Sequence, residues 1–277
     1  MMGTRPPVVS RWENTILIER ITAPTSTAAK AVVFDFDGTL GMVRAGWMPL
    51  MLDMMMETLA PLGPDPDRLR TEAEEYVAHY TGRDTVEQMN AFAAHVASLG
   101  GSPLSGVEYK AKFLVRIERL RAARLDALRA GEIMPDDLLI PGTRAFLESL
   151  RSLGLPLYLA SGSDHSDICF EARLLGIDHY FAGIYGSAPG ILNKKELLDV
   201  IVAQGTSPAC ILTFGDGRTE IELTRILGGK TVGVASDEPA CVEVDMKKRG
   251  WLIAAGAGYI IPNYLEPELL RLVEGKV

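Results

Sequence analysis

The stretch Val32-Val33-Phe34-Asp35-Phe36-Asp37-Gly38-Thr39-Leu40 is an apolar, β-branched run that stops at two carboxylates one residue apart. A run of that kind reads as a strand buried on both faces, and open parallel sheets bind their ligands beyond the carboxyl ends of such strands. Side chains alternate along a strand but not through the turn after it, so Asp35 and Asp37 can reach one pocket. Two acids that close repel each other unless a cation lies between them, and a hard, oxygen-ligated ion such as Mg²⁺ suits them. The segment reads as a metal-dependent phosphoryl-transfer site with a carboxylate nucleophile. A solvated turn after a core strand can carry the same Asp-x-Asp-Gly sequence. The partners further along the chain decide between the two readings.

Composition narrows the classes. A chain of 277 residues can bury a large core, and 47% hydrophobic with 23% charged residues is the balance of a soluble globular protein. A net charge of -8 argues against a nucleic-acid partner but allows an anionic substrate, because a bound metal inverts the local field. No apolar run reaches the length of a membrane span, and the N-terminal residues lack the apolar core of a signal peptide. Cys169, Cys210 and Cys241 are odd in number and far apart, with no C-x-x-C pair or Cys/His cluster. They read as reduced core thiols of a cytoplasmic protein. The expected partner is a small phosphorylated metabolite, with neither nucleic acid nor membrane; composition does not set the oligomeric state.

Around the first strand the chain divides unevenly. Residues 1–29 form an N-terminal extension, with Ile16, Leu17, Ile18 and Ile21 suggesting an added strand and 23–29 a linker. Residues 42–135 are helical throughout: Met48, Leu52, Met55 and Leu59 keep helical spacing, as do Phe113, Ile117, Leu120 and Leu128. The loops at 61–64 and 100–103 separate these helices. From about residue 138 short apolar runs at 155–160, 181–185, 210–214 and 231–235 each end in Gly, Ser or Asp, with helical segments between them. That alternation predicts a parallel α/β sheet. Some ninety helical residues between the first strand and the rest are too many for an ordinary connection. The chain therefore reads as a catalytic core of 30–41 and 136–277 with an inserted helical unit of 42–135. A further turn and strand at 256–262 carries no identifiable chemistry.

The run around Asp35 resembles the first motif of the haloacid dehalogenase superfamily in its phosphatase form, D-x-D-G-T. Three further stretches resemble its other motifs in the family's order. Leu157-Tyr158-Leu159-Ala160-Ser161-Gly162-Ser163 is a strand ending in small hydroxyl residues, Asn193-Lys194-Lys195-Glu196 opens a helix, and Gly215-Asp216-Gly217-Arg218-Thr219-Glu220 follows a strand. The resemblance implies a Rossmann-like, doubly wound parallel sheet under an α-helical cap. It implies Asp35 as nucleophile and Asp37 as general acid and base. Ser161 and the backbone of Gly162 and Ser163 would bind the phosphoryl oxygens. A lysine would neutralise nucleophile and phosphate together. Lys194 is favoured because Leu197, Leu198, Ile201 and Val202 mark the buried helix face about one turn on; Lys195 stays open. The implied Mg²⁺ set is Asp35, the backbone carbonyl of Asp37, and Asp216. Glu220 stands where the family commonly has Asp, and its extra methylene suits a water-mediated role.

The motifs say less about the substrate. Asp37 argues against a dehalogenase and a phosphonate hydrolase. Thr39, where the mutase-type motif tends to have Val, favours a phosphatase for a small organic phosphate, a sugar phosphate for example. A phosphomutase resembling β-phosphoglucomutase is the runner-up. A phosphosugar-binding regulator without turnover is the non-catalytic reading, which a complete set of catalytic groups opposes. In the cap, the run 79–85 is the best specificity loop, with Arg83 free to bind a hydroxyl or a second anion, unless it pairs with Asp84 or Glu87. The methionines of 48–56 read as core packing more readily than as a pocket lining. His165 follows the second motif closely.

Overall fold

The computed structural model describes residues 18–22, 26–63 and 65–276. Strand β1 (Glu19–Arg20) lies at the edge of the sheet, antiparallel to its neighbour, so the extension does add a strand; Ile16 and Leu17 lie outside the described residues. Strands β2 (Ala31–Phe34), β3 (Leu157–Asp164), β4 (Gly183–Ser187), β5 (Ile211–Gly215), β6 (Lys230–Val234) and β7 (Tyr259–Ile261) complete it. The order is β1-β7-β6-β5-β2-β3-β4, parallel apart from β1. From β2 the chain winds outward one way through β3 and β4, then returns and winds the other way through β5, β6 and β7. This is the doubly wound topology, and its switch point falls between β2 and β5, where ligands of such sheets bind. All four residues of β2 are buried, as a strand covered on both faces requires.

Four helices fill the interval after β2: α1 (Trp47–Leu59), α2 (Pro66–Tyr80), α3 (Thr85–Ser98) and α4 (Gly106–Arg129). Local signals set their starts. Asp65 accepts the backbone N–H of Arg68 before Pro66 at the first turn, and Ser105 with Glu108 forms a reciprocal cap. Their apolar stripes close on a core separate from that of the sheet, containing Met51, Met54, Met55, Leu59, Val77, Met89, Phe92, Tyr109, Phe113 and Ile117. Met54 and Met55 are thus packing residues, with Met48 and Met56 against them, while Met51 packs here and also reaches the cavity beside Asp35 and Asp37. Together the helices form a cap over the carboxyl edge of the sheet. No described helix is long and apolar enough to cross a membrane.

Helices α5 (Thr143–Ser152), α6 (His165–Leu174), α7 (Lys194–Ala203), α8 (Arg218–Leu227), α9 (Met246–Ala255) and α10 (Glu268–Val273) cover the sheet. Two expectations need correction. Strand β3 starts at Leu157 rather than at 155 and runs past the apolar stretch to Asp164, with a shift of register against β4 after Ala160. The Ser163 N–H donates to Ser161 Oγ (3.1 Å) within this last stretch. Strand β4 begins at Gly183 instead of Phe181, because the chain first makes a short 3₁₀ turn at Asp178–Tyr180.

Candidate active site

The site grows from the β2–β5 pairing. Phe34 and Phe214 are in register, and the Asp35 N–H donates to the Phe214 carbonyl (3.0 Å), so both chains leave the sheet side by side. Asp35 and Asp216 emerge at the same end, and Glu220 joins them from the first turn of α8. One carboxylate oxygen from each of the three lies within 4.8 Å of the others, and all three residues are buried. Lys194, first residue of α7, turns inward: Nζ donates to Asp35 Oδ1 at 2.6 Å and to Glu220 Oε2 at 2.8 Å. A cation at a helix N-terminus opposes the helix dipole, and these two carboxylates offset that cost. Lys195 pairs instead with Asp199 at the surface, which decides which of the two lysines enters the cluster. Glu220 Oε1 accepts the Gly217 N–H (2.7 Å), so this side chain both caps α8 and reaches Lys194.

Burial dominates the electrostatics. It pushes the Asp35 carboxyl well up, with Glu220 and Asp216 adding to the effect and Lys194 opposing it. It pushes Asp216 to about 7, against the pull of Lys248 and with that of Glu238 and Glu220. Lys194 stays firmly protonated, because Asp35 and Glu220 outweigh its own burial. Three buried acids, two of them reluctant to ionise, form a donor set of hard oxygens that could hold a divalent cation such as Mg²⁺.

Asp37 sits in different surroundings. Its Oδ2 accepts from Arg44 Nη1 (3.0 Å) and from Ser163 Oγ (2.8 Å). Arg44 is itself buried and also donates to Glu171 Oε1 (2.9 Å), which receives Arg121 of α4 at 2.6 Å. Burial drives Glu171 up to about 7 although both arginines pull it down. Through Arg44, Glu171 and Arg121, Asp37 is connected to the cap.

Asp35, Asp37, Ser161, Gly162, Ser163 and Asp216 line one cavity of about 80 Å³ together with Arg44, Trp47, Met51, Thr81, Gly82, Arg83, Thr85, Gln88 and Phe113. Two glycines let cap and core meet there. Gly82 has φ +88°, and a Cβ on it would lie 2.4 Å from Glu220 Oε2; a Cβ on Gly162 would lie 2.2 Å from the Arg83 carbonyl oxygen. The Thr81 carbonyl accepts from Thr219 Oγ1 (2.9 Å). The loop of residues 79–85 therefore touches the site through its backbone. The Arg83 guanidinium is bonded to Glu87 (2.7 Å) and lies over the Tyr80 ring. His165 accepts the Gly186 N–H (3.2 Å) and is not among the cavity residues.

The family model for haloacid dehalogenase-like hydrolases matches residues 29–225. The chain belongs to that family. Among haloacid dehalogenase-like hydrolases it is similar to a phosphoglycolate phosphatase of Synechococcus elongatus, 24% identical over 205 residues, 74% of this chain and 83% of that one. A phosphoglycolate phosphatase of Shigella boydii serotype 4 is 28% identical over 216 residues, 74% and 81% of the two chains. Among solved structures, a β-phosphoglucomutase from Clostridium difficile superposes with a TM-score of 0.56 at 17% identity, over 90% of this chain and 98% of that one. At such identity the likeness shows the fold alone.

Several residues at the site lie outside the motifs. Arg44 and Glu171 carry no sequence signal that separates them from surface charges. Lys248 did carry one. It donates to Glu238 and lies 3.2 Å from Asp216 Oδ2, buried in α9. In the sequence it reads as part of the solvated run Lys247-Lys248-Arg249. Yet Leu252 and Ala255, four and seven residues on, are buried, and the helical spacing that favours Lys194 applies here equally. Gln88 falls at an inward position of α3 among residues that read as ordinary helix.

Proposed function

We propose that the chain is a Mg²⁺-dependent phosphatase that hydrolyses a small organic phosphate monoester through an aspartyl phosphate on Asp35. The observation that carries this reading is two carboxylates in unlike surroundings on one cavity: Asp35 bonded to Lys194, and Asp37 bonded to Arg44 and Ser163. A cation bound with Asp35, Asp216 and Glu220 would hold Asp35 ionised as a nucleophile, whereas the Asp37 side chain lies outside that cluster, where it can exchange a proton. An Asp35 oxygen attacks phosphorus, and a P–O bond forms as the ester P–O bond breaks. The alkoxide leaves with the electron pair and takes a proton from Asp37. Asp37 then removes a proton from water, whose oxygen attacks phosphorus; the bond to Asp35 breaks, and inorganic phosphate leaves. Lys194, Ser161 and the Gly162 N–H stabilise the equatorial oxygens. Asp35, the Asp37 carbonyl and Asp216 would hold Mg²⁺, with Glu220 behind them, and when bound the ion adds positive charge against the phosphoryl group.

In this reading 30–41 and 136–277 are the catalytic core and 42–135 the cap that excludes water. The cavity at the acids adjoins two wider clefts, one sharing Arg44, Thr85, Phe113 and Ser163 with it and the other Gly82, Arg83, Ser161 and Gly162. The phosphoglycolate in the names of the two relatives supports a short ester. Arg83 belongs to the substrate side of the loop, where its guanidinium exchanges Glu87 for a substrate oxygen. The free cysteines suit a cytoplasmic enzyme. Asp35→Asn tests the proposal. The amide is nearly isosteric but cannot attack phosphorus, so phosphate release from a panel of short esters should vanish while the protein stays folded. Activity within about tenfold of the parent, roughly 1.4 kcal/mol in the barrier, would refute the covalent route.

A further inference from the structure

Lys248 is the third residue of α9, and its neighbours in sequence point away from the site. Lys247 pairs with Glu74 of the cap and lies over the Trp251 ring, and Arg249 donates to Glu19 (2.6 Å). Of the three only Lys248 is buried, with its ammonium bonded to Glu238 Oε1 and 3.2 Å from Asp216 Oδ2. The placement is unfavourable on two counts: burial strips water from the charge, and the first turn of a helix repels a cation. A lysine kept for solubility stays in water, as Lys247 does. Asp216 is thus shared. It joins Asp35 and Glu220 in the trio that could hold a divalent cation, and it also meets this ammonium. A Cβ on Gly38 would lie 2.2 Å from Asp216 Oδ2 and 2.8 Å from Glu238 Oε1, so both oxygens crowd one point of the loop after Asp37. Neither Lys248 nor Glu238 lines the cavity at the acids, so the pair acts behind them and not on the substrate.

We infer that Lys248 is a positioning residue that sets the ion count of this site: its ammonium, anchored by Glu238, fills the place of a second cation beside Asp216, so that the site takes one divalent ion. The inference rests on the metal-dependent reading above and adds to it a residue outside the motifs. Two-ion phosphoryl-transfer sites hold their cations about 3.5–4 Å apart. A carboxylate shared between the two cations makes that spacing possible. Here Asp216 is shared in this way, with Glu238 as the second acid on the far cation, but the far cation is part of the chain. Deleting the ammonium leaves Asp216 and Glu238 facing each other without a countercharge, which a divalent ion from solution can supply.

The test counts Mn²⁺ bound to the whole chain by electron paramagnetic resonance, with no substrate present. Mn²⁺ takes the same hard oxygen ligands as Mg²⁺. The parent should bind one ion tightly and lose it in Asp216→Asn. Lys248→Ala removes the ammonium and leaves room for an ion, so it should bind two, with the spin coupling of a close pair. Glu238→Gln added to Lys248→Ala removes an acid of the second place and should return the count to one. Lys248→Arg keeps the charge and should stay at one. Mn²⁺ should also raise the melting temperature of Lys248→Ala by more than that of the parent, because the ion replaces a deleted charge. A lysine that only packs α9 predicts one ion in every variant, and that result would overturn the inference. So would two ions in the parent, or a Lys248→Ala chain that does not fold even in millimolar Mn²⁺, since an ion then fails to replace the ammonium. In these cases the metal-dependent reading stands. A parent that binds no ion, or keeps its ion in Asp216→Asn, would overturn both.

Discussion

Lys194 offers the sharpest test of how the buried acids are held. Its ammonium lies 2.6 Å from Asp35 and 2.8 Å from Glu220, and all three side chains are buried. At an effective dielectric of about 20 each contact carries about 6 kcal/mol of Coulomb attraction before desolvation is counted. Much of that is offset by the cost of burying the charges, but removing the lysine does not return the acids to water. Breaking such a pair costs about 3–5 kcal/mol, because the remaining charges are left uncompensated. Lys194→Met keeps the unbranched stem and deletes only the charge. In EDTA at pH 7.5, urea unfolding should show a loss of about 3–5 kcal/mol, and the melting temperature should fall by on the order of 10 °C. Asp35→Asn introduced into Lys194→Met removes one of the stranded acids and should return about 2 kcal/mol. The deficit should also shrink toward pH 5, as the stranded acids take up protons that the unfolded chain holds less tightly. A loss below about 1 kcal/mol, or no recovery in the double variant, would refute the argument that Lys194 balances this cluster.

Three further outcomes follow from the same geometry. Asp37→Asn should slow alkyl phosphates far more than an aryl phosphate, whose phenolate leaves with little need of a proton; equal losses on both, with burst kinetics excluding slow dephosphorylation, would take the acid role from Asp37. Glu171 holds its proton up to about pH 7 in the fold, whereas an ordinary glutamate releases it near 4.5. The stability this proton contributes is present below pH 4.5 and lost as pH rises through 7. The advantage of the parent over Glu171→Gln in urea unfolding should therefore fall by about 3 kcal/mol from pH 4.5 to pH 8, and a difference that does not move with pH would contradict it. Millimolar Mg²⁺ should raise the melting temperature of the EDTA-treated parent, with about 2.7 kcal/mol of stabilisation at a hundred times the dissociation constant, and Asp216→Asn should lose most of that gain.

What the sequence made legible follows from how each feature is encoded. The order of strands and helices is written in local hydrophobic periodicity, so the parallel sheet, the interruption after β2 and the four cap helices could all be read from it. Asp35 and Asp216 were legible because each follows directly on a strand, and strand ends converge at the switch point of a doubly wound sheet. The end of strand β3 is less legible, because Ser161, Gly162 and Ser163 favour turns locally while the fold brings Gly162 against the Arg83 carbonyl. The Glu87 partner of Arg83 could be named in advance, being four residues along the same helix start.

The countercharges divide differently, and the division has a physical cause. Lys194 could be placed by helical spacing, but Arg44 reaches Asp37 from a turn region with no periodicity, and Glu171 meets Arg121 across 50 residues of sequence. Such partners are chosen by the fold, not by their neighbours in the chain. Their charges nevertheless constrain the site. Asp35, Asp216, Glu220 and the partly buried Glu238 face the ammonium groups of Lys194 and Lys248, four carboxylates against two cations. The carboxylates outnumber the ammonium groups by two, and burial, with the neighbouring acids adding to it, makes Asp35 and Asp216 hold their protons more tightly than carboxylates in water. A divalent cation brings the charge this arrangement lacks. The same imbalance that burial makes costly in the protein alone therefore favours binding a metal beside the nucleophile.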